Sequence, residues 1–554
     1  MSLMERYVSA QRKNQLFQQK HPTVNYMGGI SYRWNPLDTL KLVTASSIFG
    51  EPAYYRNGAF AEAGIGKVTD GIFFVNSLFE AYLIPAMKEY RHKNTSQIME
   101  EVIDAALDYD FAATLNWAIT LRKDYHMRLN PQVIMVRAAQ HPKRNAFTEA
   151  NPGVFSQINE QVMARADEPA SQLTYYLFRN KSKNQIPGIL KRSWAARFGA
   201  MSRYEIYKYR NTGIGMIDTV RICHAKGALI DELMRTGTVD VPAEEKTWET
   251  MRAGGASWTE ILNTVHMGHM ALLRNLRGIF SEISDMEQTR QILAQLKKGV
   301  PGGKQFPYRY KSAYDAVKAS SGLNHRQMIL DALEECIDIA CGNMPTLPGR
   351  TVCLSDNSGS AWGGMTSAYG TVTVAEIDNL SSVITAHNSE EGFVGKFGDR
   401  LQMYDISKRH GVLHQAEQIN ATRGQDVGGS TENGIWLFFE QAIREKTVYD
   451  NIFVYSDQQA GHGGLYGTAE GRRQYTAAGY CCQQNYVDVA KLIDTYRRTV
   501  NPRVNVFCVQ TAGYNNVLIP ENGYRTSILY GWTGNELVYA DAINRFWDEK
   551  DAQQ

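Results

Sequence analysis

The chain has 554 residues, 43% apolar and 21% charged, with a formal net charge of +2. One hydrophobic core stops growing near about 250–300 residues, so this length predicts more than one domain. No run approaches the roughly 18 uncharged apolar residues of a membrane span, and Met1-Ser2-Leu3-Met4-Glu5-Arg6 lacks the apolar core of a signal peptide, so a soluble cytoplasmic protein is expected.

Residues 1–93 are mixed, with strand candidates at Ser31-Tyr32-Arg33-Trp34 and Ile72-Phe73-Phe74-Val75. From about 94 to 343 the apolar residues recur at helical spacing, as in Ile98, Val102, Ile103, Ala106 and Leu107, or Ile329, Ala332, Leu333, Cys336 and Ala340. Breaks near Pro131, Pro142, Pro169, Pro187, Gly213, Pro242 and Pro301 divide the region into an array of helical hairpins, with degenerate HEAT-type repeats as one possibility. Ser257-x-x-Glu260 and Ser284-x-x-Glu287 read as capping boxes.

The texture changes at Pro345-Thr346-Leu347-Pro348-Gly349, giving domains 1–345 and 346–554. Beyond it, strand-like runs at 351–355, 401–405, 452–455, 504–509 and 526–530 alternate with helical ones near 432–446, 487–500 and 537–549. Such alternation predicts a parallel sheet covered by helices on both faces. The Gly-rich stretch 458–480 reads as a surface loop. The seven cysteines include no Cys-x-x-Cys pair, which predicts reduced thiols rather than zinc or disulfides.

Charge is split along the chain. Residues 1–350 carry 43 Lys and Arg against 34 Asp and Glu, while the remainder is acidic. The excess concentrates in 179–210, where Arg179, Lys181, Lys183, Lys191, Arg192, Arg197, Arg203, Lys208 and Arg210 face only Glu205. Tyr175, Tyr176, Trp194, Phe198, Tyr204, Tyr207 and Tyr209 are interleaved. Cations neutralise phosphates and aromatic rings stack on unpaired bases, which suits single-stranded or irregular RNA and gives no DNA specificity. Arg221 and His224, three apart, are placed on one helix face beside this segment. The bland alternative is a solvated basic face over an aromatic core.

Asp356-Asn357-Ser358-Gly359-Ser360 follows the apolar run Thr351–Ser355, Gly428-Gly429-Ser430-Thr431 precedes a helix, and Asp457 ends another strand run. Together Asp356, Ser358, Ser360, Thr431 and Asp457 offer an all-oxygen site for a divalent ion such as Mg²⁺. Hydroxyl ligands add no charge, so the bound ion can accept a partner's carboxylate or phosphate. A phosphohydrolase using Asp356 as nucleophile would want a second carboxylate two residues on, where Ser358 stands; binding rather than turnover is expected.

With those motifs in order, the chain resembles bacterial members of the Ro ribonucleoprotein (TROVE-module) family over roughly residues 25–554. The resemblance is carried by Asp38-Thr39-Leu40-Lys41-Leu42, Phe49-Gly50-Glu51, Tyr54-Tyr55, Lys208-Tyr209-Arg210, Asp218, Arg221, His224 and the oxygen-ligand motifs. It implies a closed ring of HEAT-like helical repeats followed by a Rossmann-like von Willebrand factor A domain with a metal-ion-dependent adhesion site. It also implies RNA quality control without enzymatic activity. A small Y-like RNA would bind the basic outer surface at Lys208, Arg210 and His224, single-stranded 3′ ends of misfolded or precursor RNA would enter the ring, and an exoribonuclease is a possible partner. The rival readings are a protein-interaction scaffold without an RNA role and a metal-dependent phosphohydrolase.

Overall fold

The computed structural model describes residues 22–24, 30–33, 35–45, 95–125, 127–180, 182, 184–210, 215–242, 245–303, 305–363, 372–421, 427–428, 431–458, 489–511, 516–517, 519, 524–530 and 536–553. The strand expected at Ile72–Val75 and nearly all of the Gly-rich stretch 458–480 lie outside these residues.

The first part is a helical array running from Pro36–Ala45, through Thr95–Tyr109 and its successors, to Arg326–Cys341. Local sequence sets several boundaries. Pro131, Pro169 and Pro307 each stand in the first turn of a helix, where a missing N–H costs nothing. The helix expected to break at Pro301 runs two residues further, to Gly303. Ser257 caps its helix through the Glu260 N–H, but Asp285 rather than Ser284 caps Met286–Gly303, accepting from the Gln288 N–H at 2.7 Å. Complete capping boxes instead form at Ser202 with Glu205 and at Thr373 with Glu376.

The second part is a six-stranded sheet whose strands lie, from one edge to the other, at 401–406, 389–397, 347–356, 451–456, 505–510 and 526–530. Its strands are β3 (Leu347–Asp356), β4 (Ser389–Phe397), β5 (Leu401–Ile406), β6 (Asn451–Ser456), β7 (Asn505–Gln510) and β9 (Thr526–Tyr530). This is the doubly wound order, with its topological switch between β3 and β6. The sheet is mixed rather than wholly parallel, because β5 returns antiparallel on β4 through a short turn. Strand β4 was not expected. It carries Glu390, Glu391, Gly392, Gly395 and Lys396, which dilute the β signal. Gly392 is required there, since a Cβ would lie 1.9 Å from the Ala386 carbonyl oxygen. Buried Lys396 donates to the Ile419 carbonyl at 3.0 Å.

Two of the cores meet where the parts join. One spans residues 40–241 of the array. The other runs from helices 258–341 into one face of the sheet, through Cys353, Phe453, Tyr455, Phe507 and Leu529, to the C-terminal helix Glu536–Ala552. Tyr539 of that helix packs against both cores, and its ring stacks on Tyr125 at 6.0 Å. The N-terminal strand β2 (Ile30–Arg33) pairs with β8 (Asn516–Val517). The two ends of the helical array therefore both meet the sheet-bearing part. Five cysteines of the described residues, Cys223, Cys336, Cys341, Cys353 and Cys508, are buried free thiols.

Candidate metal centre and nucleic-acid interface

Strands β3 and β6 pair in parallel, so their C-terminal ends lie side by side at the switch point. Asp356 ends β3 and Asp457 follows β6; both are buried. Asp356 accepts from the Ser358 N–H at 2.9 Å through Oδ1 and from the Ser456 hydroxyl at 2.6 Å through Oδ2. Ser360 donates to Asp457 Oδ2 at 2.5 Å, and the Ser358 and Ser360 hydroxyls are 3.2 Å apart. Four of the five proposed oxygen ligands are thus one connected cluster. Thr431 opens the helix Thr431–Glu445. Gly434 lets that helix lie against Phe397, where a Cβ would come within 2.4 Å, and Phe397 pairs in register with Asp356. The helix start is therefore held at the same sheet edge. Gly428 needs its positive φ of 82° and its missing side chain, since Asp399 occupies the space.

The loop is braced from the opposite side. Asn379 accepts from the Ser355 hydroxyl at 2.6 Å and from the Asn357 amide at 2.8 Å, and donates to Asn420 at 2.7 Å. The preceding residue, Asp378, is wholly buried, and among the described residues neither carboxylate oxygen has a hydrogen bond of normal geometry. Burial first, then Asp356 and Asp457, push its carboxyl well above the usual carboxylate range. The Thr511 hydroxyl faces it without normal hydrogen-bond geometry and offsets this only in part. Among the described residues, no group of three or more His, Cys, Asp or Glu side chains is arranged to hold a metal ion. The donor set is instead two carboxylates with hydroxyls, a hard oxygen set that fits Mg²⁺ or a similar ion. Sequence reasoning did not find Ser456, Asp378 or Thr511. Asp378 lies on the helix Val374–His387, which the periodicity did not single out.

The basic segment divides by partner. Arg179 donates to Glu100 at 2.6 Å, and Glu100 also accepts from Tyr175 at 2.7 Å. Arg197 binds the Met163 carbonyl at 3.1 Å and Glu205 at 2.6 Å. Burial works upward on the Glu205 carboxyl, but the Ser202 N–H and Arg197 outweigh it and hold it below its ordinary value. Arg203 pairs with Glu232 at 2.7 Å. Arg210 lies 4.5 Å over the Tyr207 ring and donates to the Tyr207 carbonyl, closing its own helix. These arginines are occupied within the fold.

Others are not. Lys208 and Arg192 are exposed and Lys191 half-buried, and none has an ion-pair partner among the described residues. Lys191 sits on Gly188–Gly199, which packs on Met216–Cys223, and its charge is felt at Cys223. His224 follows that cysteine as an exposed left-handed cap with φ of 57°, so it stands past the helix end rather than on one face with Arg221. Arg221 is 3.9 Å from Asp218, both well exposed. Lys181 and Lys183 lie outside the described residues.

The fold is thus a helical array joined at both ends to a Rossmann-like doubly wound domain, with an oxygen cluster at its switch point. Among solved structures, the chain is similar to the crystal structure of the Deinococcus radiodurans RO (RSR) protein. The TM-score is 0.53 at 15% sequence identity, covering 80% of this chain and 93% of that one. The chain shares the fold of that Ro protein. No protein-family model matches the sequence, and no curated protein matches it.

Proposed function

We propose that this protein is a non-catalytic RNA-binding protein of the Ro type, acting in noncoding-RNA quality control or processing. The observation that carries the reading is a set of cations without ion-pair partners among the described residues, Lys191, Arg192 and Lys208 with His224 nearby, on a helical array of the Ro fold. Charges already bound to carboxylates attract phosphate weakly; charges without such partners neutralise phosphates and release the counterions condensed on the nucleic acid. A Y-like small RNA would lie on this face. Misfolded or precursor RNA would present a single-stranded 3′ end, and an exoribonuclease could receive it. Specificity would come from shape and unpaired ends, since phosphate contacts carry no sequence information.

In the A-type domain, Asp356, Ser358, Ser360, Asp457 and Thr431 would hold a divalent ion, Mg²⁺ by the hardness of its donors. The ion would supply a Lewis-acid docking point for a partner's carboxylate or phosphate. The chain's own part is to hold two carboxylates and three hydroxyls at one sheet edge. A cytoplasmic setting suits this role. Among the described residues no helix is long and apolar enough to cross a membrane.

The test is fluorescence anisotropy with a structured RNA bearing a 3′ single-stranded tail, competed with duplex DNA of equal length. RNA binding that survives the competitor supports the reading. Equal competition, or no binding, refutes it and leaves a protein-interaction scaffold as the better account.

A further inference from the structure

We infer that Tyr204 is a stacking residue for an unpaired base, with Lys208 placed to take the adjoining phosphate. The inference rests on the RNA reading above and names the kind of RNA that this part of the surface takes: a single-stranded segment rather than a duplex.

The interleaved aromatics suggested a broad stacking surface, and burial removes most of it. Tyr175, Tyr176, Trp194 and Phe198 are at most 1% exposed and Tyr207 is 8% exposed; all belong to the array's core. Tyr209 is half-buried, and the Arg165 guanidinium lies 4.7 Å over its ring. Tyr204 alone of the seven is exposed, at 38%. One exposed tyrosine is ordinary on any surface. Two further features set this one apart.

The first is rigidity. Tyr204 stands in the first turn of Arg203–Tyr209, whose start is fixed by both halves of the Ser202–Glu205 capping box. Glu205 is itself tied to Arg197 of the neighbouring helix at 2.6 Å. A ring carried on such a turn loses little freedom when a base stacks on it. The second is the charge beside it. Lys208 lies one helical turn on, its ammonium over one face of the Tyr204 ring at 5.6 Å from the centroid and over the Tyr209 ring at 5.7 Å, with no carboxylate partner among the described residues. Tyr204, Lys208 and Tyr209 thus alternate ring and cation, and Arg165, which closes the row over Tyr209, is itself paired with Asp167 at 3.0 Å, leaving Lys208 as the cation of the row without a carboxylate partner among the described residues. A base on an aromatic face beside a phosphate on a cation is how proteins hold single strands without reading sequence. Base pairs inside a duplex have no free face for Tyr204, and only the two ends of the duplex expose one.

The experiment compares the full chain with Tyr204→Ala and Tyr204→Phe, titrated against a single-stranded RNA oligonucleotide and a blunt RNA duplex of the same length. Tyr204→Ala is expected to lose roughly 5- to 150-fold in affinity for the single strand, the loss of one stacked base. Tyr204→Phe should keep wild-type affinity, and duplex affinity should stay the same in all three proteins. A Tyr204→Ala protein that binds the single strand as wild type does, or that loses single strand and duplex equally, overturns the stacking role and leaves RNA binding intact. A wild-type protein that binds neither probe overturns the RNA reading itself, and this inference with it.

Discussion

Substituting Lys191, Arg192 and Lys208 together with alanine removes three cations that have no carboxylate partner among the described residues. Each phosphate neutralised on single-stranded nucleic acid contributes about 0.7 to the slope of log affinity against log salt. If all three contact phosphate, the slope shallows by about 2. Between 50 and 200 mM salt that corresponds to roughly a 16-fold smaller loss of affinity in the variant than in the wild type. The control is Arg203→Ala with Glu232→Ala, which removes an exposed 2.7 Å ion pair and no net charge. That pair should leave the slope where it was. Anisotropy titrations at four salt concentrations measure both. A triple variant with the wild-type slope, or a charge-neutral variant that shallows it equally, would refute the distinction between free and occupied cations.

Glu100→Gln leaves Arg179 and the Tyr175 hydroxyl without the carboxylate that holds them, and should cost about 1–3 kcal/mol in urea unfolding with no change in salt slope. The Asp378 carboxyl is raised in the fold, so above the ordinary carboxylate range the unfolded chain binds fewer protons than the native one. Stability of the metal-free protein therefore falls as pH rises toward the raised value. Asp378→Asn should flatten that fall and add about 1–3 kcal/mol at neutral pH in EDTA; an unchanged pH profile would contradict it. Ser360→Ala breaks the 2.5 Å contact with Asp457 and should weaken Mg²⁺ binding at least about tenfold in calorimetry. Tyr539→Ala removes the stack on Tyr125 where the two cores meet, and should cost about 0.5–1.5 kcal/mol beyond the lost area, with faster proteolysis between the two parts.

The division into helical and α/β parts was legible because periodicity changes from 3.6 to strand-like runs around 345–351, and five of the six sheet strands stand on apolar runs. Strand β4 and the helix before it were not, because a strand pressed against Ala386 must carry glycine and a buried Lys396 can satisfy itself on a helix end. The oxygen cluster was readable from Asp-x-Ser-x-Ser, since one turn supplies most of it. Its surroundings, Ser456, Asp378 and Thr511, come from three separate elements that only the sheet order brings together. The basic segment was legible as composition alone. Which of its arginines are occupied depends on Glu100, Glu205 and Glu232, and two of those acids lie outside the segment.

The most direct test is ultraviolet crosslinking of the full chain to a tailed RNA, followed by mapping of the crosslinked peptides. Crosslinks within residues 188–226 are expected. Crosslinks confined to the sheet-bearing domain, or none at any RNA concentration, would contradict the account.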